Sequence, residues 1–282
     1  VRHRKSTLVA AATAAALIPL SLTGAANAAS GKAPVTAKDR AAKAYAESWQ
    51  ERPGDYLALE KAVKKAGGDS LRFNVPAVGM ENATASQVQK AYAKAENAHG
   101  DGDVSTKDVP SDAFQVSGSW YHTQDQYGEW WTASGHWNFR DDFVNGSAPD
   151  DASGIALDEV DKKCWENDGD NLLAADWQNE PYDQMWRHSS SPTSNIWNIR
   201  DRVQGFAMKA DHGTHLLHLR RVGYNCDNND KMAASYHYEH NQDGSGGWGA
   251  SISIGVMTLS YNGSGGDTMQ KSPKVFYNNP AS

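Results

Sequence analysis

From Trp131 to Arg140 the chain alternates without a break: Trp131, Ala133, Gly135, Trp137 and Phe139 fall on one face of an extended backbone. Thr132, Ser134, His136, Asn138 and Arg140 fall on the other. Successive side chains of a strand point to opposite faces, so a two-residue period of this length reads as a strand with one face in a core and the other in water. Phe114, Val116, Gly118 and Trp120 repeat the pattern just upstream. Ile196–Val203, Phe206–Ala210, His215–Val222, Ala234–His240, Ser251–Tyr261 and Lys274–Tyr277 read as further strands. Two glycine-rich runs, Asp243–Gly247 and Asn262–Gly266, stand where hairpin loops would join the last three. Eight short strands with turn signals between them imply a mainly β fold, an antiparallel β-sandwich or an open barrel.

The stretch before these strands has another character. Lys38–Gln50 is alanine-rich and stops short of Pro53, where a helix breaks. Asp55 can cap a second helix with Leu59, Ala62, Val63 and Ala66 on one face, ended by Gly67 and Gly68. Thr84 and Gln87 have capping-box spacing for a third helix running to His99. Their thin apolar stripes suit either packing on the β part or a loosely held arm. Residues 101–112 read as a polar linker. Charge follows the same division: residues 29–109 carry a net charge of +1 and residues 110–282 a net charge of −11. Nine of the ten tryptophans lie in the second part.

Residues 1–28 have the order of an export signal: a basic start (Arg2, Arg4, Lys5), an apolar run from Leu8 to Leu22, and Ala26-Asn27-Ala28 at the cleavage position. That run is shorter than the ~20 residues a bilayer crossing needs. The expected organisation is a cleaved signal peptide (1–28), a helical N-terminal region with its linker (29–109) and a Trp-rich acidic β domain (110–282), secreted and without a membrane span. In an oxidising compartment Cys164 and Cys226, the only two cysteines, are expected to form one disulfide.

The functional signals are compositional. Gly68-Asp69-Ser70-Leu71 spells a lipase/esterase signature, but it follows two lysines and a helix stop rather than a buried strand, and no histidine has an aspartate three residues before it. No G-x-S-x-G, H-E-x-x-H or phosphate-binding loop occurs. His212, His215 and His218 are spaced for one helix face, and His237 and His240 add a second pair; on a strand only His212 and His218 of the first series share a face. Asp141, Asp142, Asp150, Asp151, Asp168 and Asp170 are read as loop carboxylates, the donors Ca2+ takes. Trp130, Trp165, Trp186 and Trp248 stand among polar residues and glycines, and are read as exposed rings able to stack on sugars. The acidic balance excludes a nucleic-acid surface. The reading is a secreted binding module for a glycan or cell-wall component. The alternatives are an extracellular hydrolase using Asp and His residues, and a secreted toxin or signalling factor suggested by the Ser251–Tyr261 region.

Overall fold

The computed structural model describes residues 34–96, 114–139, 150–157, 164–176, 178–204, 207–222, 232–241, 246–253, 256–263, 268–271 and 274–277, from 241 onward by backbone alone. Three helices come first: α1 (Ala37–Glu51), α2 (Tyr56–Lys65) and α3 (Ala85–Glu96). Strands β1 (Gly68–Val75) and β2 (Met80–Ala83) lie between the second and third. There follow β3 (Phe114–Asp125), β4 (Gly128–Phe139), β5 (Asp151–Leu157), β6 (Trp165–Ala175), β7 (Pro181–Tyr182), β8 (Met185–Ser191) and β9 (Ser194–Ile199). The chain continues through β10 (Val203–Gln204), β11 (Ala207–Met208), β12 (His212–Arg221) and β13 (Met232–Asn241). It ends with β14 (Gly246–Ser253), β15 (Val256–Gly263), β16 (Thr268–Lys271) and β17 (Lys274–Tyr277). All the strand pairs among the described residues are antiparallel.

The helix starts follow their capping residues. Thr36 and Asp39 exchange bonds at the head of α1, Asp55 accepts from the Ala58 N–H at 2.9 Å, and the Thr84 N–H donates to Gln87 Oε1 at 2.8 Å. Each bond satisfies a donor that a helix start leaves open.

A seven-stranded sheet runs in the order β2-β1-β3-β4-β12-β6-β7, and a six-stranded set in the order β16-β13-β5-β9-β8, with β17 also on β13. The two face each other across a core of Phe114, Trp120, Trp137, Leu217, Tyr236 and Tyr238, among others. The helices cover the opposite face of the first sheet, where Tyr45, Leu59, Val63, Phe73, Tyr121 and Leu216 form a second core. β4 is therefore not half in water: Thr132, Ser134 and His136 are as buried as Trp137. These polar groups face helices rather than solvent. Tyr45 Oη bonds Ser119 Oγ at 2.5 Å, Ser134 Oγ at 2.8 Å and the His136 ring, while Ser117 Oγ bonds His136 Nδ1 at 2.8 Å. A polar face on a strand means partners, and here the partners are protein.

Other expectations change as well. β1 begins where glycines were read as a stop, and it pairs with β3, so a strand of the helical region belongs to the main sheet. Val35–Ser282 forms one unit, and the composition break near residue 110 is not a break in packing. Ser251–Tyr261 is two strands: β14 and β15 pair with Ser253 opposite Val256, and Gly246 and Gly247 lie inside β14 rather than in a loop. Asp151 opens β5, and Asp168 and Asp170 lie within β6, not in loops. Residues 1–28 and 101–112 lie outside the described residues. Among the described residues no helix is long and apolar enough to cross a membrane.

Candidate functional site

Of the four tryptophans, the three whose side chains are described do not share a surface. Trp130 is 4 % and Trp165 8 % exposed. Lys38 lies 5.6 Å over the Trp130 ring, whose Nε1 donates to Asp168 Oδ2 at 2.6 Å. Trp165 stands edge-on to Trp131, with ring centroids 6.5 Å apart. The polar neighbours that suggested exposure, such as Glu129 and Glu166, sit one residue away on a strand and so report on the opposite face. The Trp248 side chain lies outside the described residues. Trp186 is 38 % exposed, on β8, the terminal strand of its sheet among the described strands.

Around Trp186 the chain assembles groups that no motif announced. Arg200 sits 5.3 Å over its ring, and the Tyr182 hydroxyl donates to the Arg200 carbonyl. On the other side of the same edge Arg187 forms a two-pronged pair with Asp170 and lies 5.4 Å over Trp197, whose Nε1 donates to Asp170 Oδ2 at 2.8 Å. The second set braces β8 and β9 against β6.

Of the carboxylates expected to gather on Ca2+, the described ones, Asp150, Asp151, Asp168 and Asp170, are dispersed. Asp141 and Asp142 lie outside the described residues. Asp150 pairs with Arg202 at 2.9 Å. Between Leu217 and Leu219 of β12 the facing strand β6 carries one extra residue, and Gly169 there has φ +123°. This bulge turns Asp168 toward the helices, onto Lys38 at 2.9 Å, and Asp170 toward the other sheet, onto Arg187. Burial opposes charge on Asp168, but the Lys38 ammonium and the Trp130 N–H outweigh it and hold the carboxyl below the usual range.

β12 places the histidines as a strand must. His212, on Gln50 O at 3.0 Å, and His218, on Thr132 Oγ1 at 2.9 Å, face the helices; His215, on Ser153 Oγ at 2.9 Å, faces the second sheet. The three are at most 2 % exposed, so none meets a substrate at the surface. A recess beside His212, lined also by Ala46, Trp49 and Leu173, encloses about 0 Å³ of usable space, against the roughly 300–1,000 Å³ of ligand pockets.

One group of metal-type donors does converge among the described residues: Asp151 from β5, His240 from β13 and Asp201 just beyond β9, with donor atoms all within 4.8 Å of one another. All three are fully buried. Tyr238 Oη donates to Asp151 Oδ2 at 2.7 Å, and the Phe139 ring packs 4.8 Å from the His240 ring. Burial, and then the charge of Asp151, push the Asp201 carboxyl well above the usual range. Asp151 was marked in the sequence for its neighbour Asp150 and His240 for its spacing from His237; Asp201 was not marked, and that the three meet was not legible, because residues this far apart in sequence meet only through strand order. Cys164 is buried, while Cys226 lies outside the described residues, so their pairing stays an expectation.

No family model and no curated protein matches the chain. Among solved structures it is similar to one described as "AvmM Catalyzes Macrocyclization in Alchivemycin A Biosynthesis", at 11 % identity over 61 % of this chain and 92 % of that chain, with a TM-score of 0.26. Another is described as "pH-induced modulation of Streptococcus parasanguinis adhesion by Fap1 fimbriae", at 10 % identity over 60 % of this chain and 83 % of that chain, also with a TM-score of 0.26. Likenesses at this level carry no argument about what the chain does.

Proposed function

We propose that the chain is an exported β-sandwich binding module that recognises a glycan or cell-surface component through the outer face of β8 and β9. The observation that carries this reading is the exposed Trp186 with Arg200 over its ring, on a terminal strand braced from behind by Asp170, Arg187 and Trp197. An indole offers an apolar face for a sugar ring, and the guanidinium beside it offers donors for hydroxyls or carboxylates. A braced edge keeps that pair in place before the ligand arrives, which lowers the ordering cost of binding. The hydrolase alternative has less support, since the histidines it would use are sealed and Asp150, Asp168 and Asp170 are tied to cations. The toxin or signalling alternative gains no specific residue from the β14–β15 hairpin.

The test is retention of the secreted protein on insoluble polysaccharides and cell walls. Trp186→Ala and Arg200→Ala should each weaken retention by about 1–3 kcal/mol while shifting stability little. Trp137→Ala, in the core, should cost roughly 3–5 kcal/mol of stability. Retention of both surface variants equal to wild type would remove this face from the proposal.

A further inference from the structure

The Asp151–Asp201–His240 group contains a buried carboxyl, that of Asp201, which the described residues leave without a hydrogen-bond partner. His240 Nδ1 lies 3.0 Å from Asp151 Oδ2 and 3.6 Å from Asp201 Oδ2. A simple Asp151–His240 pair, oriented by Tyr238, would account for two of the three residues. It does not account for Asp201, whose side chain is 0 % exposed and whose two oxygens have no hydrogen-bond partner among the described residues. A carboxyl buried without a partner is among the costlier arrangements a core can hold, whether ionised or neutral. The donor spacing suits an ion: bonds of about 2.0–2.1 Å in a tetrahedral shell put neighbouring donors roughly 3.3 Å apart.

We propose that Asp151, Asp201 and His240 bind one divalent transition-metal cation of the Zn2+ class. One imidazole and two carboxylates make a borderline donor set. Ca2+ is the poorer match, since it takes six to eight oxygen ligands and disfavours the nitrogen. Tyr238, donating to Asp151, would orient a ligand from outside the ion's own shell. The three ligands are fully buried and come from β5, β13 and the chain leaving β9, so the ion's role is structural: it ties three neighbouring strands at one end of the space between the sheets. The site is independent of the β8–β9 binding face, and failure of either proposal leaves the other standing.

The experiment uses the full secreted chain, stripped with a chelator and titrated with ZnCl2. One equivalent should bind per chain, measured by elemental analysis after gel filtration. The Tm should rise by roughly 5–10 °C at about a hundredfold excess over Kd. Co2+ should bind in competition with Zn2+ and show visible ligand-field absorption, whereas CaCl2 should neither shift the Tm nor displace Zn2+. Asp201→Asn, nearly isosteric, should reduce the stoichiometry toward zero with the far-ultraviolet circular dichroism unchanged, while His218→Gln should retain the full equivalent. If Asp201→Asn does not fold, the wild-type titration and the Co2+ spectrum decide alone. No uptake and no Tm shift in the wild type would overturn the proposal, as would full stoichiometry in a folded Asp201→Asn.

Discussion

At the scale of single residues, environment follows from the face a side chain occupies rather than from its sequence neighbours. Gly135 illustrates this: a Cβ built on it would lie 2.0 Å from the Tyr236 ring, which reaches across from the second sheet onto the β4 backbone. The alternation on β4 placed Gly135 on the inward face correctly. It could not show that the position was kept empty for a ring arriving from β13. Gly135→Ala should therefore destabilise by about 1–3 kcal/mol through overpacking, read as a lower denaturation midpoint with an unchanged slope. Tyr236→Leu in the same chain should return part of that loss, because it removes the ring that clashes. The same logic explains Trp130: an indole with polar neighbours was buried under Lys38, and its N–H found Asp168. For Cys164 the expectation is simpler. If it pairs with Cys226, titration of the folded, secreted protein finds no reactive thiol without reductant and two after reduction and unfolding.

At the scale of elements, legibility tracked how local the cause was. α2 and α3 start at their capping residues, Asp55 and Thr84, because a cap acts within three residues of itself. β3, β4 and β17 were readable from alternation or from a short apolar run. β1 carried a usable signal, Leu71, Phe73 and Val75 at period two, which the preceding glycine pair obscured. β5 and β6 were not readable. β5 is buried along its whole length and holds Asp151 and Ser153 by bonds to Tyr238 and His215. β6 carries a bulge that reverses its faces. Their polar residues answer partners far away in sequence. The pairing of β1 with β3 has a consequence for proteolysis. A cut within residues 101–112 should leave a nicked protein whose two fragments elute together in native gel filtration and separate only in denaturant. The helices and β1 are held by a shared core that includes Tyr45, Phe73 and Tyr121. Separation of the fragments under native conditions would mean that the helical region is held by its covalent link alone.

At the scale of the whole molecule, the buried histidines set how stability depends on pH. Burial pushes His136 down to about 3. Burial, and then the nearby Arg187 charge, does the same to His215; burial, and then Lys38, to His218. In the unfolded chain each imidazole titrates near 6.5. The folded values are depressed, so between these limits the unfolded state binds more protons than the native state, and stability falls as pH falls. The contribution is complete above about pH 7, begins to be lost near 6.5 and continues to be lost toward 3. Each histidine gives a slope of about 1.4 kcal/mol per pH unit, and three together give roughly 4 kcal/mol per unit, a large share of the ~5–15 kcal/mol that holds a typical domain folded. Asp201 acts with the opposite sign when no cation holds it, since its folded value is raised, but it is one group against three. Denaturant melts should be nearly flat from pH 8 to 7 and then lose stability steeply from 6.5 to 5, before ordinary carboxylates titrate. His215→Gln can still hydrogen-bond Ser153 but takes up no proton, so in any variant that folds it should reduce that slope by about a third where a cation holds Asp201 and by about half where none does. A stability profile flat down to pH 5 would show that these imidazoles accept protons inside the folded protein, and that water or a carboxylate reaches them there.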